Sequence, residues 1–177
     1  LPACFSYYTN CLLLWVHITT NLVKIIISFL LFCCVSQLTL ANTTIDSLKL
    51  KIEASETQTN SADLFQLYSE LTDQYEKQND TLNTVISSII LADLSRASGS
   101  HLIALQILDE LVDSGVEIMP KQKIHICLVR GSVLYEISKH QESLFWSYQG
   151  IELGEKFKIF DYDALLYNLL GASYLHS

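Results

Sequence analysis

The chain has 177 residues, enough for one domain by length, and it is acidic, with a formal net charge of −8. An acidic chain lacks the basic surface that binds a phosphate backbone, so we expect no nucleic-acid partner. The composition changes at Ala41, because Lys24 is the one charged side chain before it and Cys127 the one cysteine after it. A lone cysteine cannot form an internal disulfide, so we expect the part after Ala41 to be stabilised by packing.

The first predicted element is an export signal at residues 22–41. It has a short basic start at Lys24, an apolar core over Ile25–Val35 and a Thr-Leu-Ala end. This pattern is typical of a secretory signal peptide and predicts cleavage after Ala41. The alternative is an uncleaved N-terminal anchor, although the core alone is shorter than the about 20 apolar residues that a membrane span needs.

Residues 1–21 precede the basic region at which a signal peptide should begin. Leu22 would be a natural start if an alternative leucine codon were read as Met, so we expect residues 1–21 to be a non-native or upstream-translated extension. The alternative is a longer anchor that includes a second apolar segment, Leu12–Ile18. The chain ends within a predicted helix, so we also expect the parent protein to continue after Ser177.

Residues 42–80 are predicted to form N-terminal helices, because their apolar residues recur three and four apart. Thr44 and Ser61 are suitable N-caps, and Gln78-Asn79-Asp80 breaks the second helix. The predicted apolar faces are Ile45, Leu48 and Ile52 on the first helix and Leu64, Phe65, Leu67, Tyr68, Leu71 and Tyr75 on the second.

The same period predicts five further helices over residues 81–177, so the fold class is all-α. They cover about 81–97, 101–112, 120–138, 141–157 and the segment from Asp161 or Asp163 to about 174. Pro120 suits a first helical turn, and the short connections favour antiparallel neighbours. Expected core or interlayer residues include Leu102, Leu105, Leu108, Leu111, Leu144, Phe145, Trp146, Tyr148 and Ile151.

Small residues recur through these helices with a period near 40. Ala92, Gly131 and Gly171 are 39 and 40 residues apart, and Ala104 and Ser143 each follow 12 residues after the first two. Self-similarity at this period is typical of stacked helical repeats, in which small residues let helices cross closely. The alternative is a generic helical bundle.

The helix pairs resemble the tetratricopeptide repeat. Residues 167–174 contain its Leu-Gly pair followed three residues later by an aromatic residue. The earlier units resemble the motif at Ala92, Gly99, Ala104 and Leu105, and at Gly131, Leu134, Ser138, Ser143 and Gly150. The sequence departs from the motif in three ways. Ser95 stands in the position of the aromatic residue, the closing prolines are missing, and the period is longer than the family's 34 residues. The resemblance implies antiparallel helix pairs stacked as an α-solenoid over residues 81–177.

The resemblance also implies a concave groove lined by the first helix of each pair. The positions that face the groove are counted from the Gly or Ala residue of each unit. The side chains predicted to line the groove are Asp93, Arg96, His125, Leu128, Ser132, Tyr135, Glu136, Asn168 and His176. Tyr135 is the predicted anchor, and Arg96 is expected to favour acidic groups. The Lys/Asn/Arg clamp with which some members hold a terminal carboxylate is absent. The resemblance therefore implies a protein or peptide partner without implying that ligand.

No motif indicates catalysis, a cofactor or a metal. The chain lacks Gly-x-Ser-x-Gly and a phosphate-binding loop, and His125 and Cys127 are too close in a helix to face each other. The acidic residues Asp109, Glu110, Asp113 and Glu117 are interpreted as a solvated helix face. We expect no enzymatic activity in this chain.

The resemblance extends to the exported N-terminal sensory regions of bacterial membrane signalling proteins. It implies a periplasmic or membrane-anchored module, with a membrane span and a diguanylate cyclase or histidine kinase downstream. The alternatives are a stand-alone periplasmic scaffold or envelope-assembly protein, and a small-molecule sensor domain. Membrane contact is expected only through the signal, the anchor or a downstream span.

Overall fold

The computed structural model describes residues 24, 26–29, 43–55 and 61–177. Within these ranges the regular structure is helical and contains no strand, which confirms the all-α prediction for this part of the chain. The predicted extension at residues 1–21 and the predicted cleavage site lie outside the described residues. The chain divides into two compact units, Leu1–Thr44 and Ile45–Ser177. No helix in the described ranges is both long and apolar enough to cross a bilayer.

The helices follow the predicted order closely. Their bounds are residues 43–55 (α1), Ser61–Lys77 (α2), Thr81–Ala97 (α3), His101–Asp113 (α4), Pro120–Glu136 (α5), His140–Phe157 (α6) and Asp163–Leu175 (α7). Asp80 caps α3 by accepting a hydrogen bond from the Asn83 backbone N–H at 3.2 Å. Thr44 and Ser61 are themselves helical, so the prediction that they are N-caps was wrong.

Four helices end in the same backbone turn. One residue adopts left-handed φ, and the next N–H donates to a carbonyl five residues back. The left-handed residues are Asn79, Gly99, Ser138 and Lys158. The closing bonds are Asp80 to Tyr75, Ser100 to Ser95, Lys139 to Leu134 and Ile159 to Gly154, at 2.8–2.9 Å. This turn reverses the chain within three residues between α3 and α4 and again between α5 and α6.

The contacts of α5 and α6 show that these two helices run antiparallel. Near one end, the Ser143 hydroxyl donates to the Gly131 carbonyl at 2.9 Å. Near the other, a Cβ on Gly150 would lie 3.2 Å from the Cβ of Cys127. In addition, α3 contacts α4, α6 contacts α7, and α5 contacts both α3 and α7.

Apolar burial accounts for the cohesion of these helices. One cluster joins α3, α4 and α5 through residues that include Ile89, Leu108 and Val129, and another joins α5, α6 and α7 through Ile124, Ile151 and Leu166. A third, between α1 and α2, contains Ile45, Leu48, Ile52, Leu71 and Tyr75.

Several residues predicted to lie in apolar faces are instead exposed. Leu102 is 80% exposed, and Phe65, Phe145 and Tyr148 also face solvent. These predictions were wrong because a helical stripe is wider than the strip that the neighbouring helices cover. Trp146, by contrast, is half-buried, and its Cβ would lie 3.5 Å from a Cβ on Gly131.

The repeated small residues differ in what surrounds them. Ala92 and Ala104 are fully buried. A Cβ on Gly131 would approach Leu169 Cδ2 to 2.9 Å, so this glycine lies at a close crossing, as the pattern predicts. A Cβ on Gly171 would meet nothing within 4 Å among the described residues. The same spacing therefore marks a packed position on α5 and an open one on α7.

Candidate functional site

Three of the predicted groove residues meet where α3 ends, α4 begins and α5 ends. Arg96 Nε donates to Asp93 Oδ1 at 2.8 Å, and the same guanidinium also pairs with Glu136. His101 Nε2 lies 2.9 Å from the other carboxylate oxygen of Glu136. We call Arg96, His101 and Glu136 the ionic cluster. Sequence analysis identified Arg96 and Glu136 but missed His101.

The Arg96 side chain is enclosed by its own carboxylate partners. Burial lowers the pKa of the guanidinium, but the contacts with Asp93 and Glu136 outweigh burial and raise it above its ordinary value. Two carboxylates of the protein itself thus compensate the charge of Arg96, which weakens its attraction for an external acidic group.

A second cluster lies where α5 ends, α6 begins and α7 ends. The ring of Tyr135 lies edge-on to His140 at 5.3 Å between centroids and 6.0 Å from His176. The two imidazoles stack on each other at 5.4 Å. We call Tyr135, His140 and His176 the aromatic cluster. Tyr135 is half-buried, so part of its ring remains accessible.

The aromatic cluster contains a polar atom without a partner. His140 Nδ1 is buried and makes no hydrogen bond within the described part of the chain. An unsatisfied buried nitrogen costs about 1–3 kcal/mol, so a buried polar atom of this kind needs an explanation.

The residues of the two clusters are related by a sequence spacing of 39 or 40 residues. Tyr135 follows Arg96 by 39 residues, and His140 follows His101 by the same interval. His176 follows Glu136 by 40 residues. Each cluster thus combines the end of one helix, the start of the next and the end of the one after it, which are α3, α4 and α5 for the ionic cluster and α5, α6 and α7 for the aromatic cluster. Sequence analysis missed His140, although the period that linked the small residues also links the two histidines.

The other predicted groove residues have different surroundings. The His125 ring stacks on Tyr162 at 4.8 Å, and burial lowers the pKa of this imidazole while Asp93 raises it and Lys121 lowers it. Ser132 donates to the Leu128 carbonyl of its own helix at 2.8 Å. Asn168 is exposed.

The described residues contain no group of three His, Cys, Asp or Glu side chains that could hold a metal ion. Burial raises the pKa of the Cys127 thiol to about 11, so this cysteine is protonated at neutral pH and a poor nucleophile. A cavity of about 310 Å³ between α2, α3 and α4 has both apolar and polar walls, including Val85, Leu111, Glu76 and Glu110.

Comparison with protein-family models, curated proteins and solved structures gives no significant match to this chain.

Proposed function

We propose that this chain is an exported, tetratricopeptide-like α-solenoid module that binds a protein or peptide. In this proposal it is the periplasmic sensory part of a larger bacterial signalling protein, followed by a diguanylate cyclase or a histidine kinase. Binding uses the surface on which the ionic and aromatic clusters lie, with Tyr135 as its main anchor.

The equivalence of the two clusters is the observation that supports this proposal best. The same three positions carry an arginine, a histidine and a glutamate in one layer, and a tyrosine and two histidines in the next. Stacked repeats that present different side chains from equivalent positions build extended binding surfaces. The contacts of α5 with both α3 and α7 favour such a stack.

Selection from a random peptide library displayed against the purified chain tests the proposal. We expect selected peptides to lose affinity about tenfold or more when Tyr135 is changed to Ala, since aromatic anchors supply much of the binding free energy. Leu102→Ala is the matched control, because Leu102 is 80% exposed on α4 and outside both clusters. Equal binding by the Tyr135→Ala and Leu102→Ala variants would show that the binding site does not include Tyr135. A selection that yields no binder would contradict peptide binding.

Two alternatives remain candidates. A stand-alone scaffold or envelope-assembly protein would use the same surface without an attached enzyme. A small-molecule sensor would instead use the cavity beside Val85, whose volume is at the lower end of the range for ligand sites. Binding that is abolished by Val85→Trp and unaffected by Tyr135→Ala would favour the small-molecule sensor.

A further inference from the structure

We propose that the aromatic cluster Tyr135–His140–His176 binds a carboxylate side chain of an acidic peptide segment. This inference deepens the proposed peptide-binding function and rests on it. It follows from a comparison of the two clusters, because the ionic cluster contains a carboxylate, Glu136, and the aromatic cluster contains none.

The ionic cluster is closed by its own carboxylate. Glu136 accepts from Arg96 through one oxygen and lies 2.9 Å from His101 Nε2 through the other. A carboxylate with donors on both oxygens has its main hydrogen-bonding positions occupied. This cluster therefore shows, within the same protein, how a carboxylate fits between the two donor positions of the repeat.

The aromatic cluster keeps the histidine position and lacks the carboxylate. His140 is in the position equivalent to His101, and His176 is in the position equivalent to Glu136. The phenol hydroxyl of Tyr135 and one N–H of each neutral imidazole are donors for an anion. His140 Nδ1 is buried without a partner within the described residues, and His176, whose ring stacks on His140, is exposed. The arrangement is complementary to a carboxylate supplied from outside.

The charged side chains next to the aromatic cluster already have partners within the protein. Lys139, which precedes His140, is paired with Glu142 at 3.1 Å, and Glu136 on α5 is held by Arg96 and His101. The rings of the aromatic cluster, rather than these charged side chains, therefore supply the donors for an incoming carboxylate.

The test compares two capped peptides that differ only in Glu or Gln, by calorimetry on the full chain. We expect the Glu peptide to bind at least about tenfold more tightly than the Gln peptide, because an ionised carboxylate accepts stronger hydrogen bonds than a neutral amide. Acetate alone distinguishes a free carboxylate from one carried on a peptide. Competition by acetate at concentrations similar to those of the peptide would show that the peptide backbone adds nothing and would overturn the peptide assignment.

His176→Glu is the decisive variant, because it places in the aromatic cluster the carboxylate that Glu136 provides in the ionic cluster. We expect it to abolish the preference for the Glu peptide, whereas Leu102→Ala, at an exposed residue outside both clusters, keeps that preference. If His176→Glu does not fold, the imidazole NMR signals of His140 and His176 in the natural chain provide a second readout. They should shift with the Glu peptide and not with the Gln peptide.

The result that overturns the inference differs from the one that overturns peptide binding. Library peptides that depend on Tyr135 but bind equally with Glu or Gln would refute the carboxylate site and leave the proposed function standing. Loss of all peptide binding would refute both.

Discussion

The hydroxyl groups of Ser143 and Ser173 lie 2.8 Å apart at a fully buried junction of α6 and α7. Because Ser143 gives its proton to the Gly131 carbonyl, which can only accept, Ser173 must be the donor to Ser143. Two side chains and one carbonyl thus connect α5, α6 and α7 through a short chain of hydrogen bonds.

Removing this link should destabilise the protein measurably. We expect Ser143→Ala to lower the free energy of unfolding by about 1–3 kcal/mol, because it leaves the Ser173 hydroxyl buried and unpaired. The double variant with Ser173→Ala should cost less than the sum of the single variants. Ser147→Ala is the matched control, since this buried serine bonds only within its own helix. Urea unfolding measures all four, and strict additivity would show that the two hydroxyls do not interact.

Gly131 and Gly171 should respond in opposite ways to the same substitution. Gly131→Leu overpacks the crossing with Leu169 and should cost about 1–3 kcal/mol or more. Gly171→Leu adds a side chain in open space and improves helix propensity, so it should be neutral or stabilising by up to about 1 kcal/mol. Thermal unfolding tests both, and equal melting temperatures would contradict the close contact at Gly131.

Much of the fold could be predicted from the sequence, because helical periodicity and turn residues are local. The interval 81–97 predicted for α3 matches its observed bounds, since Asp80 and Gly99 mark both ends. Which apolar side chain faces a neighbour is not local. Leu102 and Leu108 on α4 were both predicted to be core or interlayer residues, yet one is 80% exposed and the other fully buried.

The candidate site was predicted less completely, because its contacts connect distant residues. The positions Arg96, Tyr135, Glu136 and His176 followed from the repeat period. The histidines that complete the clusters begin the second helices, on which no groove residue was sought. Applying the same period to polar residues would have linked His101 with His140.

The left-handed turn positions offer a paired test. Ser138 has φ of 62° and Gly99, at the equivalent position, has φ of 81°. We expect Ser138→Gly to stabilise the protein by about 0.5–1 kcal/mol and Gly99→Ala to destabilise it by about 1 kcal/mol, because only glycine adopts this conformation without cost. Chemical denaturation measures both changes. Destabilisation by Ser138→Gly would indicate that the serine side chain has a role that its backbone conformation does not reveal.

Stability should decrease in alkaline solution partly through Cys127. Burial raises the pKa of this thiol from 9.0 to about 11, so the unfolded chain loses the proton first as pH rises. The contribution of the protonated Cys127 thiol to the free energy of unfolding is fully present below about pH 9 and is lost as pH rises through about 11. Its magnitude is about 1–3 kcal/mol. Cys127→Ala should have a shallower decline over this interval. Parallel curves for the two proteins would contradict the shift.

The export proposal predicts a defined mature N terminus. Cleavage after Ala41 should produce a periplasmic protein whose sequence begins at Asn42. N-terminal sequencing of the fractionated protein from a bacterial host measures this. A product that retains residues 22–41 would favour the anchor.

The three-residue turns also set the rotational phase of each second helix about its axis. One added residue in the turn at Ser138 would rotate α6 by about 100° relative to α5. That rotation would carry Ser143 away from Gly131 and move His140 off Tyr135 at the same time. The longer connections after α4 and α6 do not impose this constraint. Changes in chain length are therefore compatible with the junctions between helix pairs, whereas the turns within pairs require a fixed number of residues.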